Sequence, residues 1–186
     1  MSDELTILEN TVRASFAGVV WSHKIQEKQA DIYRDKHKRL ETMRITASGI
    51  TSVGIASLIF INEMWIKIIS AAVSLIVIVI SAYFKSFNMQ EMYAFHKKAA
   101  NSLLIIRDKY QHLLMEIHIG NKGYNELNDI YIELEKQKHS VYLDSPQTTD
   151  KAVKQASIAL MVSNDNNFTD KEINGFLPDI LRKSED

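Results

Sequence analysis

Two uncharged apolar runs, residues 45–62 (ITASGITSVGIASLIFIN) and 68–84 (IISAAVSLIVIVISAYF), dominate the polarity pattern of the chain. Glu63 and Lys67 are the only charges between them, and both lie where a short turn would sit. An eighteen-residue helix spans roughly 27 Å, close to the ~30 Å hydrocarbon core of a bilayer. The pattern therefore predicts a transmembrane helical hairpin over 45–84, with spans at about 45–62 and 66–84. The alternative is a buried hairpin in a soluble helical protein. Such a helix keeps a polar face, and neither run has one. The second run is the stronger, because LIVIVI (75–80) is apolar around more than a full turn; the first is rich in Ser, Thr, Gly and Ala. The first run begins only after a long, mostly polar stretch, which argues against a secretory signal.

Helically patterned polar segments flank the hairpin. Leu5, Leu8, Val12, Phe16, Val19 and Val20 recur at helical spacing, with a thinner stripe of Ile25, Ile32, Tyr33 and Leu40 beyond them. Residues 1–44 thus read as one helix running into the first span. Met89, Met92, Tyr93, His96, Ala99, Ala100, Leu103, Ile106, Tyr110, Leu113, Leu114 and Ile117 predict a returning helix over 85–119. The two arms are expected to pair antiparallel. Gly120 and Gly123 end the return arm, since glycine readily takes the left-handed conformation that closes a helix. A third helix with Leu127, Ile130, Tyr131, Leu134 and Val141 on one face completes a segment over 85–143.

Ser145-Pro146 opens a C-terminal tail, 144–186. It holds a short amphipathic helix over 149–161 carrying Val153, Ala156, Ile158 and Leu160, and breaks near Asn164–Asn167. Thr169 and Glu172 then form a capping box, with Phe168 and Ile173 as its hydrophobic staple. The last helix presents Ile173, Phe176, Leu177, Ile180 and Leu181 around Pro178. It is too short to stand alone, so it is expected to dock on its own bundle or on a neighbouring subunit. The fold class expected is an all-α membrane protein: a two-transmembrane helical hairpin extended by long cytoplasmic helices, plus short C-terminal cytoplasmic helices.

Charge sets the expected orientation. Arg34, Lys36, Lys38, Arg39 and Arg44 precede the first run, and Lys85, Lys97 and Lys98 follow the second. Lys and Arg in short flanks mark the cytoplasmic side, which predicts a multi-pass protein of the cell inner membrane with both termini cytoplasmic. Arg44, Trp65, Lys67, Tyr83 and Lys85 are the expected interface anchors, Lys67 by snorkelling along its own stem. A net charge of −1 over 186 residues gives no basic excess for nucleic acid. The chain has no cysteine, which removes disulfide, thiolate and Cys-zinc chemistry.

No P-loop, GxGxxG, HExxH or GxSxG motif occurs; no catalytic residue, metal or cofactor is expected, and the reading is not an enzyme. Asp108, His112 and Glu116 lie at one-turn steps and fit solvated pairing better than metal ligation. His37 and His96, one on each arm, fit interfacial packing or a proton sensor. Ser70, Ser74 and Ser81 share one helical face, and Ser48, Gly49, Ser52 and Ala56 share another. Such stripes allow close helix packing; one of them could instead line a water-filled path. A two-span chain cannot enclose a pore alone, so that reading requires a homo-oligomer in the lipid bilayer. No acidic, Arg or His residue stands within the spans to relay protons, which leaves a passive opening as the simpler activity. The competing reading is a membrane-anchored scaffold recruiting a soluble partner through its cytoplasmic helices.

The layout has a familiar counterpart. A long N-terminal helix carrying Trp21 and Tyr33 leads into two spans with a minimal turn. A return helix containing MQEMYAFHKKAANSLLIIRDKY (89–110) and a tail containing FTDKEINGFLPDIL (168–181) follow. Over nearly its whole length the chain resembles the bacterial SLATT family, the two-transmembrane effectors associated with nucleotide-second-messenger synthases and SLOG-type sensors. The resemblance implies an effector in a prokaryotic conflict system, including cyclic-oligonucleotide (CBASS) anti-phage defence, that perturbs the inner membrane to arrest growth or kill the cell. It also implies a trigger: a cyclic nucleotide, or a nucleotide-sensing or synthase partner protein. Tyr124, Tyr131, Lys136, Lys138 and Tyr142 carry the aromatic and cationic groups that a cyclic nucleotide site would need.

Overall fold

A computed structural model describes residues 3–57, 63–165, 169–178 and 182. These residues form six helices and no strand: α1 (Asp3–Ser57), α2 (Met64–Ser86), α3 (Met89–Ile119), α4 (Tyr124–Asp144), α5 (Asp150–Met161) and α6 (Asp170–Phe176). α1 is one uninterrupted helix of 55 residues, about 80 Å long at 1.5 Å per residue. It carries the N-terminal polar arm and the described part of the first apolar run in a single rod.

The three long polar helices make a bundle. Leu8, Val12 and Val19 of α1 close on Leu103, Ile106, Tyr110, Leu113 and Ile117 of α3 and on Leu127 and Leu134 of α4. Fully burying an aliphatic side chain of this size is worth about 1.5–3 kcal/mol, so this seam is the main source of the bundle's stability. α3 runs antiparallel to α1, as the spacing of the arms predicts. α4 runs parallel to α1, and the register is uniform: Ser15 bonds Glu135, Ser22 bonds Tyr142, Gln26 bonds the Pro146 carbonyl and Gln29 bonds Thr149, each pair 120 residues apart. Gly120, at φ 77°, closes α3 in the left-handed conformation and starts the reversal into α4.

The structure departs from the sequence reading in two places. The return helix begins at Met89, not at residue 85: Phe87 and Asn88 leave the helix, and the Asn88 side chain accepts from the Glu91 N–H. Phe87 ends α2, its N–H donating to the Tyr83 carbonyl, and the asparagine cap starts α3, without a proline or glycine to mark the break. The buried face of α5 is Ala152, Ala156 and Ala159, packed on α1, whereas Ile158 is exposed. Alanines at this spacing let two helix backbones approach more closely than Val, Ile and Leu would allow. The capping box forms, with Thr169 accepting from the Glu172 N–H and Glu172 accepting from the Thr169 N–H. Ile173 and Phe176 of α6 are exposed; Phe168, Ile180 and Leu181 lie outside the described residues. Among the described residues one helical stretch, beginning at Met64, is long and apolar enough to cross a membrane. The first apolar run is described as far as Ser57, and the expected span over 45–62 continues outside the described residues.

Candidate functional site

The apolar hairpin is where α1 and α2 meet. On α2, Ser70, Val73, Ser74, Val77, Ile80, Ser81 and Phe84 are half-buried or buried at three- and four-residue steps. This is the face turned to α1. On α1 the matching positions are Arg44, Ala47, Ser48, Thr51 and Gly54. Gly54 comes close to Ser70, and a Cβ on Gly54 would run into the Ser70 hydroxyl. The Ser70, Ser74 and Ser81 stripe therefore stands at the contact between the two helices.

The other faces of the hairpin carry large aliphatic groups with no protein cover. Ile50, Val53 and Ile55 on α1 and Ile68, Leu75, Ile78 and Val79 on α2 are exposed, Val53 to 71 % and Ile78 to 62 %. Apolar patches of this extent mark a surface that meets lipid or protein. Ser52 is on this outer side of α1, and Ser48 is half-buried. Ser52 Oγ donates to the Ser48 carbonyl at 2.9 Å, and Thr51 Oγ1 donates to the Ala47 carbonyl at 2.9 Å. Their hydroxyl protons are thus satisfied within the helix, which makes them tolerable in an apolar medium.

At the bundle end of the hairpin, basic and aromatic side chains interlock. Lys36 Nζ donates to Tyr83 OH at 2.7 Å, and the Arg44 guanidinium lies 5.8 Å from the centre of the Phe84 ring. His37 meets Phe84 edge-on at 5.1 Å and accepts from Gln90 Nε2 at 2.9 Å. Lys85 lies in the last turn of α2. Trp65 and Lys67, at the opposite end of α2, are exposed.

Below this belt the bundle hides polar clamps that hydrophobic patterning does not report. His96 is fully buried, stacks on Tyr33 at 5.4 Å and donates through Nδ1 to Gln26 Oε1. Burial pushes its pKa below the ordinary histidine value. Gln29 Oε1 accepts from both the N–H and the hydroxyl of Thr149, at 2.9 and 2.7 Å, fixing the start of α5. Glu135 accepts from Ser15 Oγ at 2.8 Å, Tyr110 OH at 2.6 Å and Lys138 Nζ at 2.7 Å. Burial would raise the Glu135 pKa, but the hydrogen bonds from Lys138, Tyr110 and Ser15 outweigh it and hold it at about 2. The signals for these residues were faint: a Gln, Ser or Glu on the apolar side of an arm.

The aromatic and cationic residues of α4 do not converge. Tyr131 and Lys138 belong to the Glu135 network, Tyr142 bonds Ser22, and Lys136 pairs with Glu133 on the surface. His112 and Lys122 both approach Glu116, at 3.4 Å each. They rim a cleft of about 490 Å³ between α3 and α4, floored by Leu113, Ile130 and Leu134. Among the described residues no three His, Asp or Glu side chains are grouped as metal ligands would be.

A polar helical bundle continued by an uncovered apolar hairpin is the build of a membrane-associated helical protein. The chain belongs to the SMODS and SLOG-associating 2TM effector domain family 4 (SLATT_4), whose model matches residues 8–172. It is accordingly a two-transmembrane-type effector associated with conflict systems. No curated protein and no solved structure matches it.

Proposed function

We propose that this chain is the membrane-acting effector of a prokaryotic anti-phage system. It oligomerises in the inner membrane, with both termini cytoplasmic, and opens a passive path or disrupts the bilayer, so that growth stops or the cell dies. It does so without catalysis. The observation that carries the reading is the uncovered aliphatic surface of the hairpin joined to the bundle through the unbroken α1 rod. A change in the bundle is transmitted along α1 because a continuous helix has no hinge to absorb it. Subunits would meet through the outer face of α1 that carries Ser52, since the Ser70, Ser74 and Ser81 stripe is occupied by the helix contact. The trigger is a cyclic nucleotide or a nucleotide-sensing or synthase partner, acting on the bundle.

The test is membrane potential and dye exclusion in cells carrying the protein with its triggering system. Depolarisation is expected on triggering, and Ser52→Leu is expected to abolish it while leaving membrane insertion intact. An intact potential with triggered wild-type protein rules the pore out. A Ser52→Leu chain that still depolarises moves the subunit contact to another face.

A further inference from the structure

We propose that the junction of α1, α2 and α3 is a binding site for the headgroup of a zwitterionic phospholipid of the phosphoethanolamine type. The inference rests on the hairpin lying in a bilayer, as proposed above. A cavity of about 200 Å³ opens at this junction, walled by His37, Glu41 and Arg44 of α1, Phe84 and Phe87 around the end of α2, and Gln90 of α3. Small-molecule and cofactor sites run to about 300–1,000 Å³, so this cavity is sized for a headgroup and not for a nucleotide.

Among the described side chains that line it, the charges come as one of each sign, Glu41 and Arg44. Arg44 donates through Nε to Glu41 Oε2 at 3.0 Å and through Nη2 to Glu41 Oε1, while Phe84 supports the guanidinium plane. This fork leaves Arg44 the N–H groups of Nη1 to offer a phosphate, and Glu41 the remaining lone pairs of its carboxylate to accept from an ammonium. The hydrogen bonds from Arg44 hold the Glu41 carboxyl below the usual carboxylate range, so it stays charged.

Headgroup selectivity follows from that pair. A phosphoglycerol headgroup brings negative charge beside Glu41 and nothing to neutralise it. A phosphocholine headgroup has no N–H to donate to the carboxylate. Phosphoethanolamine satisfies both ends, and the penalty against the other two is what makes the site selective. The apolar side of the cavity fits the same occupant. Phe87 is 57 % exposed, and above it rises the aliphatic outer face of α2, where acyl chains would lie. A headgroup seated here braces the Phe87–Asn88 break between α2 and α3 against α1.

The full-length protein, extracted in detergent, would be titrated with phosphatidylethanolamine, phosphatidylcholine and phosphatidylglycerol of identical acyl chains, with bound lipid counted by native mass spectrometry. Wild type should bind phosphatidylethanolamine at least about tenfold more tightly than either of the others, a difference of about 1.4 kcal/mol. Glu41→Gln should bring it down to the phosphatidylcholine level, and Arg44→Gln should weaken all three. Equal binding of the three lipids by wild type overturns the proposal whatever the variants do, as does an undiminished preference in Glu41→Gln. Alkaline washing of the membranes separates the two readings. A chain released to the supernatant overturns membrane insertion and this site together. A chain that stays in the membrane but shows no headgroup preference overturns this site alone.

Discussion

His96 Nδ1 donates to Gln26 Oε1 across 2.6 Å, and Gln26 Nε2 in turn donates to the Pro146 carbonyl at 3.1 Å. One glutamine of α1 thereby holds both α3 and the linker into α5. Because Gln26 Oε1 can only accept, the His96 proton in this bond sits on Nδ1.

The bundle should lose stability on mild acidification. Burial lowers the folded-state pKa of His96 from 6.5, and burial followed by nearby cations lowers that of His23 despite Glu27. The unfolded chain therefore takes up these protons first. The contribution of the two residues is complete above about pH 6.5 and is lost as the pH falls through their folded-state values. Melting temperatures recorded between about pH 7.5 and 5 should fall, and His96→Gln, which keeps an amide donor toward Gln26, should flatten the slope. An equally steep fall in the double variant with His23→Gln would contradict this.

Glu135 should matter far more than its exposed neighbour Glu133. Removing the carboxylate in Glu135→Ala strips the buried Tyr110 hydroxyl of its acceptor, at a cost of about 1–3 kcal/mol. Glu133→Ala should cost less than about 0.5 kcal/mol, as surface changes do. Because the Glu135 pKa is depressed to about 2 from 4.5, its contribution is present above pH 4.5 and disappears only as the pH falls through about 2. Denaturant titrations of both variants at neutral pH test the contrast.

Gly54 and Ser70 should be coupled. Gly54→Ala places a methyl group against the Ser70 hydroxyl, and overpacking of this kind costs about 1–3 kcal/mol. Ser70→Ala removes the obstructing atom, so the double variant should recover most of that loss. A double-mutant cycle on thermal stability in detergent measures the coupling, and strictly additive effects would refute the contact.

Docking of α5 depends on small side chains. Ala156 is fully buried between α5 and α1, so Ala156→Leu should force the helices apart at a cost of about 1–3 kcal/mol. The readout is limited proteolysis, with faster cutting in the linker before Thr149. Lys154→Leu, on the exposed face, should leave cutting unchanged.

The sequence alone determined the six helices, most of their limits, the antiparallel arms and the apolar hairpin. These depend on local periodicity, on Gly120, and on the Thr169 capping box, all visible within a few residues of chain. The Phe87–Asn88 break was not legible, because asparagine is only conditionally a cap: it starts a new helix when the neighbouring backbone leaves it free to bond Glu91.

Tertiary contact decided the rest. The parallel register of α4 on α1 follows from Ser15, Ser22, Gln26 and Gln29, polar residues whose partners lie 120 positions away. It also settled which stripe of serines meets the other helix, since Gly54 admits Ser70 only where the two backbones actually cross. Helical periodicity says which residues share a face. It cannot say what that face touches, because a hydroxyl that packs and a hydroxyl that meets its surroundings have the same spacing and the same chemistry until a second helix lies against one of them.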